Sequence, residues 1–193
     1  TVLQKAHCAM HDSHSLIALL CGALDARRSL IAQLHAEGTD AYRLFHGTVE
    51  GRPGLTVDRY GSLILTQSFH GPLSQADEEA LEAFYIEAFP GTDHVYNDRS
   101  HANSRVSNPL PPERLARAEA LREFSELGVK YNVQARHGGQ DPWLFLDLRA
   151  ARRRIMAEAP EKSVLNVFAY TCGVGVAAAK AGARHVVNVD FAE

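Results

Sequence analysis

Asn166, Tyr170, Thr171 and Asp190 are the side chains whose types and spacing point most directly to chemistry. They frame a stretch, Val164 to Asp190, that reads as a buried strand, a glycine turn, an alanine-rich helix and a second strand ending in an acid. That order builds one corner of an open α/β sheet, where ligands bind beyond the carboxyl ends of the strands. A carboxylate placed there can accept hydrogen bonds from both hydroxyls of a ribose, so the expected chemistry is nucleoside binding.

The elements that must position these groups follow from their residues. Val164, Leu165, Val167 and Phe168 form the apolar run of a strand covered on both faces. Gly173 and Gly175 remove side chains where the backbone turns and a ligand approaches. Ala177, Ala178, Ala179 and Ala181 favour a helix that lies close on the sheet, and Gly182 suits its C-terminus. Val186, Val187 and Val189 supply the second strand. Two cofactors fit this corner. Gly173-x-Gly175-x-x-Ala178 matches a dinucleotide fingerprint with Asp190 as the ribose acid. Tyr170, Thr171 and Cys172 intervene before the glycines, however, and Asp190 comes early for that pattern. Asn166 and the Tyr170-Thr171 pair instead suit the charged amino-acid portion of S-adenosylmethionine, which carries no phosphate.

Asn166-x-Phe168-x-Tyr170-Thr171-x-Gly173 resembles the cofactor motif of class I S-adenosylmethionine-dependent methyltransferases that modify large-subunit (23S) ribosomal RNA. Gly51-Arg-Pro-Gly-Leu-Thr-Val-Asp-Arg-Tyr-Gly61 is similar to a hairpin of that family, and Phe145-Leu-Asp-Leu-Arg149 resembles the segment leading into its catalytic fold. The resemblance implies an α/β, Rossmann-like methyltransferase domain, only its first part present, preceded by a small α+β domain. The boundaries expected are a helical segment over 1–37, the α+β domain over 38–135 and the methyltransferase portion over 136–193. It implies that Asn166, Phe168, Tyr170, Thr171, Cys172 and Gly173 line the cofactor pocket and that Asp190 holds the ribose. Phe145, Asp147 and Arg149 would form a lip over the methionine end, with Arg149 facing its carboxylate. Leu148 replaces the family's glutamine, and Cys172 stands where a glycine is common. The family's aspartate-proline-proline motif and any catalytic cysteine are expected beyond Glu193, so the chain reads as the front of a longer enzyme. An NAD-dependent oxidoreductase and a non-catalytic RNA-binding module are the other two classes.

Composition bounds this reading. The chain has 193 residues, 46% of them hydrophobic and 22% charged, an ordinary soluble balance. No apolar run approaches the ~18 residues of a membrane helix. Three cysteines, Cys8, Cys21 and Cys172, suggest no disulfide framework and hence a reducing cytoplasm. The net charge of −3 denies a globally basic surface, so any RNA contact must be local. Arg149, Arg152, Arg153 and Arg154 form the densest basic run, either a solvated helix face or a phosphate contact. Oligomeric state stays open, a dimer included.

Elsewhere, the pattern predicts a helix over Ser13 to Leu34, with a stripe that includes Leu30. It predicts strands at Leu55 to Val57 and Leu63 to Gln67 joined by a turn at Asp58 to Gly61, and a helix capped by Ser74. A short strand at Val95-Tyr96, a loop over Asn103 to Pro112, a helix over Glu113 to Phe124 and an edge strand at Val129 to Val133 follow. Asp58 reads as a turn residue bonding its own backbone. His137, beside glycines, is a candidate to face substrate. His7, His11 and His14 share a helical face, but no second ligand pair supports a metal.

Overall fold

A computed structural model describes residues 15–101, 105–138 and 141–191. His7, His11 and His14 fall outside those residues. Helix α1 (Leu16–Ala36) begins at Ser15, whose hydroxyl accepts the Ala18 amide at 3.3 Å. Leu20 and Leu34 face the core, whereas Leu30 is exposed and lies off the stripe. Gly38, at φ 73°, turns the chain into strand β1 (Ala41–His46). A single turn α2 (Gly47–Glu50) leads to β2 (Leu55–Tyr60) and β3 (Leu63–Ser68). Helix α3 (Gln75–Ala88) starts at Ser74, whose Oγ accepts the Asp77 amide at 3.1 Å, and crosses over to β4 (Asp93–Asp98). The sheet order is β1-β2-β3-β4, antiparallel except for the parallel β3/β4 pair that the helical crossover permits.

One face of this sheet packs on α1 and α3 through Leu44, Phe45, Val57 and Ile64. The opposite face is partly covered by a hairpin of β5 (Arg122–Glu126) and β6 (Val129–Val133). Phe124 meets Tyr60 edge-on at 5.2 Å, and Leu63, Leu65, Val95 and Leu144 join the same cluster. Gly61 turns β2 into β3 at φ 58°, and a Cβ there would lie 2.7 Å from the Glu123 carbonyl. Conformation and close approach thus both demand glycine.

Three expectations need correction here. Asp58 lies in the middle of β2, buried, with its carboxylate taken by Arg43 from β1; it does not open a turn. The helix expected through Phe124 is α4 (Pro112–Glu119), because Phe124 finds a buried place in β5 against Tyr60. Cys21 is disulfide-bonded, so the cysteines are not all unpaired.

After β6 the chain runs through a 3-10 turn (Leu146–Leu148) into α5 (Arg149–Glu158). Strand β7 (Ser163–Val167), helix α6 (Gly173–Lys180) and strand β8 (His185–Val189) complete a βαβ corner in which β7 and β8 pair in parallel. Ala177 and Ala178 of α6 are buried, while Leu165, Val167, Val187 and Val189 of the strand pair are exposed. The expected strand-turn-helix-strand order is present, with Phe168 in the loop rather than the strand and Gly173 and Gly175 in the helix rather than the turn; coverage of both strand faces is not. No helix among the described residues is long and apolar enough to cross a membrane.

Candidate functional site

The loop from Phe168 to Cys172 leaves the carboxyl end of β7 and enters α6. Phe168, Tyr170 and Cys172 have φ of 56°, 49° and 63°, while Ala169 and Thr171 between them do not. Each left-handed non-glycine residue costs on the order of 1–2 kcal/mol, so surrounding contacts must hold the loop. They are identifiable. The Tyr170 amide donates to Asp190 Oδ2 at 2.6 Å, and the Ala169 amide donates to the Val189 carbonyl at 3.1 Å. The Tyr170 hydroxyl donates to the Asp141 carbonyl at 2.9 Å, and Thr171 Oγ1 donates to the Trp143 carbonyl. Burial pushes the Tyr170 phenol above its ordinary range, aided by Asp141, so it remains a donor.

Asp190 therefore stands at the mouth of the sheet, directly after β8 and against the loop. The rings of Phe168 and Phe191, 78% and 84% exposed, lie on either side of this mouth in the chain. Phe145 comes to the same place: its ring is 5.6 Å from that of Tyr170. The structure thus brings Phe145, Phe168, Tyr170, Thr171, Cys172, Gly173 and Asp190 together around one loop. Asn166 lies just beneath, donating from Nδ2 to Asn188 Oδ1 at 2.9 Å, its cross-strand partner.

The two glycines serve the protein's own packing. A Cβ on Gly175 would meet Asn188 Oδ1 at 2.1 Å, and one on Gly173 would meet Leu144 Cδ1 at 2.5 Å. Both therefore face neighbouring side chains, which corrects the expectation that they clear space for a ligand. The second glycine of a dinucleotide fingerprint admits the pyrophosphate. Here that position is filled by Asn188, so the residues present do not fit a pyrophosphate. A carboxylate at the ribose position, and polar atoms where a charged amino acid would sit, do fit an adenosyl amino acid.

Arg149 and Asp147 point elsewhere. Glu126, on β5 and 1% exposed, accepts from Arg149 Nε at 2.9 Å and from Arg152 Nε and Nη2 at 2.5 and 3.0 Å. Arg149 also donates to the Ala41 carbonyl, and Arg152 donates to the Phe145 carbonyl at 2.9 Å. Arg153 forms a bidentate pair with Glu37 at 2.8 Å, which holds that carboxyl below its usual range, and Arg154 pairs with Glu158. The basic run is thus neither a bare solvated face nor a set of unpaired cations. Two of its members clamp α5 and the Phe145 lip onto the four-stranded unit. Sequence inspection missed Glu126, whose only signal was an acid alternating with apolar residues in a short strand. Asp147 lines a cavity on the far side of the lip, beside Arg43 and Asp58. His137 Nε2 donates to the Asp141 carbonyl at 3.0 Å and the ring rests against Trp143, a lip-supporting position.

A parallel βαβ corner with an acid just past the carboxyl end of its second strand is the architecture of nucleoside-cofactor-binding α/β proteins. Residues 43–193 match the sequence profile of the S-adenosylmethionine-dependent methyltransferases, and the chain belongs to that family. It is 32% identical over 179 residues to ribosomal RNA large subunit methyltransferase I of Aliivibrio fischeri, covering 87% of this chain and 42% of that protein. The namesake protein of Cronobacter sakazakii is 33% identical over 165 residues, covering 81% and 40%. Among solved structures, a protein from Streptococcus mutans assigned as a SAM-dependent methyltransferase superposes with a TM-score of 0.70 at 29% identity, over 91% of this chain and 44% of that one. A methyltransferase structure complexed with SAH gives the same values. The chain spans about two fifths of the length of the curated relatives it matches.

Proposed function

We propose that this chain positions S-adenosylmethionine for methyl transfer to a base of large-subunit (23S) ribosomal RNA, in the cytoplasm. The observation that carries the reading is the Asp190 carboxylate held by the Tyr170 amide at the mouth of β7 and β8. Bound there, the cofactor supplies a sulfonium-activated methyl group to a nucleophilic atom. The chain's own part is positioning, which lowers the barrier by fixing the donor before the acceptor arrives. Asp190 accepts hydrogen bonds from the ribose, while Asn166, Phe168, Tyr170, Thr171, Cys172 and Gly173 line the pocket. Phe145 closes the lip, and residues 136–193 form the cofactor unit behind an α+β unit over 38–135. Asp147 and Arg149 act in the support of that lip. The ribosomal RNA acceptor is drawn from the relatives, which are named as ribosomal RNA large subunit methyltransferases.

Titration calorimetry tests the cofactor reading. S-adenosylhomocysteine is expected to bind and NADH to leave that binding unchanged; NADH binding that displaces no S-adenosylhomocysteine would favour the oxidoreductase class. Transfer of labelled methyl from S-adenosylmethionine to 23S RNA by the product of the gene tests the acceptor. RNA binding without any transfer would leave a non-catalytic module.

A further inference from the structure

A second cavity, of about 670 Å³, lies between the four-stranded sheet and the segment 141–149, sharing Phe145 and Asp147 with the cofactor lip. Its volume is that of a small-ligand site. Its floor is unusual for a sheet face. Toward one end Tyr60 lines the cavity, on the face whose core cluster holds Leu63, Leu65 and Val95. Toward the other, it carries a polar row across successive strands: Arg43, Asp58, Gln67 and, just past β4, Arg99. Asp58, Gln67 and Arg99 are all buried. Arg43 holds Asp58 through two bonds of 2.8 and 2.9 Å. Arg99 donates to Gln67 Oε1 at 2.8 Å and to Asp141 Oδ1 at 3.0 Å.

Burying such groups is costly unless every donor and acceptor is matched. Two are not: Arg99 Nε and His46 Nδ1 are buried and lack a partner, and both side chains line this cavity. Phe69, 37% exposed, adds an aromatic face on the rim, with the Arg99 guanidinium 5.6 Å from its ring centre. The charges are compensated locally, Arg43 by Asp58, Arg99 by Asp141 and Arg149 by Glu126. A phosphate would call for surplus positive charge. A neutral, planar group with both donors and acceptors matches the row better, and single-stranded RNA offers one in an unstacked base.

We infer that this cavity receives an unpaired nucleobase of the acceptor RNA, its edge read by the Arg43–Asp58–Gln67–Arg99 row and its face stacked on Phe69. The site rests on the reading of the chain as an RNA methyltransferase and adds the place where that RNA is read. Phe145 lines this cavity and also stands 5.6 Å, ring to ring, from Tyr170 of the cofactor loop, so the two sites meet at that side chain.

Fluorescence anisotropy with a short labelled single-stranded RNA tests this on the 193-residue chain. Phe69→Ala and Gln67→Leu are each expected to weaken binding about tenfold, the usual size of one base–aromatic or base-edge contact. Affinity for S-adenosylhomocysteine stays where it was in both variants; Gln67→Leu, which strands the Arg99 donor, lowers the unfolding midpoint without unfolding the chain, and Phe69→Ala at the rim leaves it nearly unchanged. An abasic strand of the same length is expected to bind the wild type as weakly as the intact strand binds the variants. Equal affinity of the abasic and intact strands, or wild-type affinity in both variants, overturns the base site while leaving the cofactor reading standing. Failure of the wild type to bind any RNA, with cofactor binding intact, removes the RNA acceptor and the base site together.

Discussion

The four-stranded sheet and the β7–β8 pair of this molecule are built to different standards of burial. In the four-stranded unit β3 is buried along its whole length, and helices or the β5–β6 hairpin cover both sides of the sheet. In the cofactor unit, β7 and β8 bury only the side under α6, and Leu165 is 66% exposed on the other. Stability is therefore concentrated in the first unit and the binding chemistry in the second. The second borrows rigidity across the seam, through Glu126, Tyr60 and Tyr131. The Tyr60 hydroxyl donates to the Leu144 carbonyl at 3.3 Å, and that of Tyr131 to the Gly173 carbonyl at 3.2 Å. The lesson is that a strained cofactor loop can rest on a sparsely packed sheet if a well-packed neighbour fixes its lip.

The contrast can be broken by truncation. Phe45→Ala removes a fully buried ring from the four-stranded unit and is expected to cost roughly 3–5 kcal/mol in urea unfolding. Glu126→Gln leaves the buried guanidinium of Arg152 without its carboxylate and is expected to cost roughly 3 kcal/mol. It also frees the lip, so acrylamide quenching of Trp143, the single tryptophan, should rise. Arg153→Ala on the same helix, whose partner Glu37 is distant from the lip, should leave quenching unchanged. Equal quenching in both variants would show that Glu126 acts on the helix as a whole.

His94 sharpens the comparison through pH. It is buried in the four-stranded unit, with Nε2 at 2.8 Å from Thr66 Oγ1, and burial, reinforced by the charge of Arg114, lowers its pKa to about 4. The unfolded chain therefore binds the proton first, at its ordinary value near 6.5. Stability contributed by the neutral ring is complete above about pH 6.5 and falls as pH drops toward 4, by about 3 kcal/mol over the window. Urea unfolding of the wild type and His94→Gln at several pH values checks the sign; the variant should lose that slope. The smallest effect belongs to the cofactor sheet, where Val187→Ala is expected to change stability by less than about 0.5 kcal/mol. A loss as large as that of Phe45→Ala would erase the distinction between the two sheets.

Much of the cofactor corner was legible because its signals are local. An apolar run, two glycines, an alanine block and a terminal acid lie within one stretch, and Val129 to Val133 likewise declared its strand by alternation. What stayed hidden depends on partners far away in the chain. Asp58 looks like a turn residue until Arg43 is laid beside it. Arg149 looks like a cofactor contact until Glu126, 23 positions earlier, claims its guanidinium. Phe124 continues a helical pattern until Tyr60 offers it a buried neighbour. Gly173 and Gly175 at the start of α6 look like room for a ligand until Leu144 and Asn188 are laid against them.

The account depends most on the carboxylate at position 190, and one titration addresses it. S-adenosylhomocysteine is titrated calorimetrically into the wild type and into Asp190→Asn, which keeps the shape and removes the charge. A ribose held by charge-assisted hydrogen bonds predicts a loss of about 10- to 100-fold in affinity, with the fold retained. Unchanged affinity in the variant would place the cofactor elsewhere and contradict the assignment.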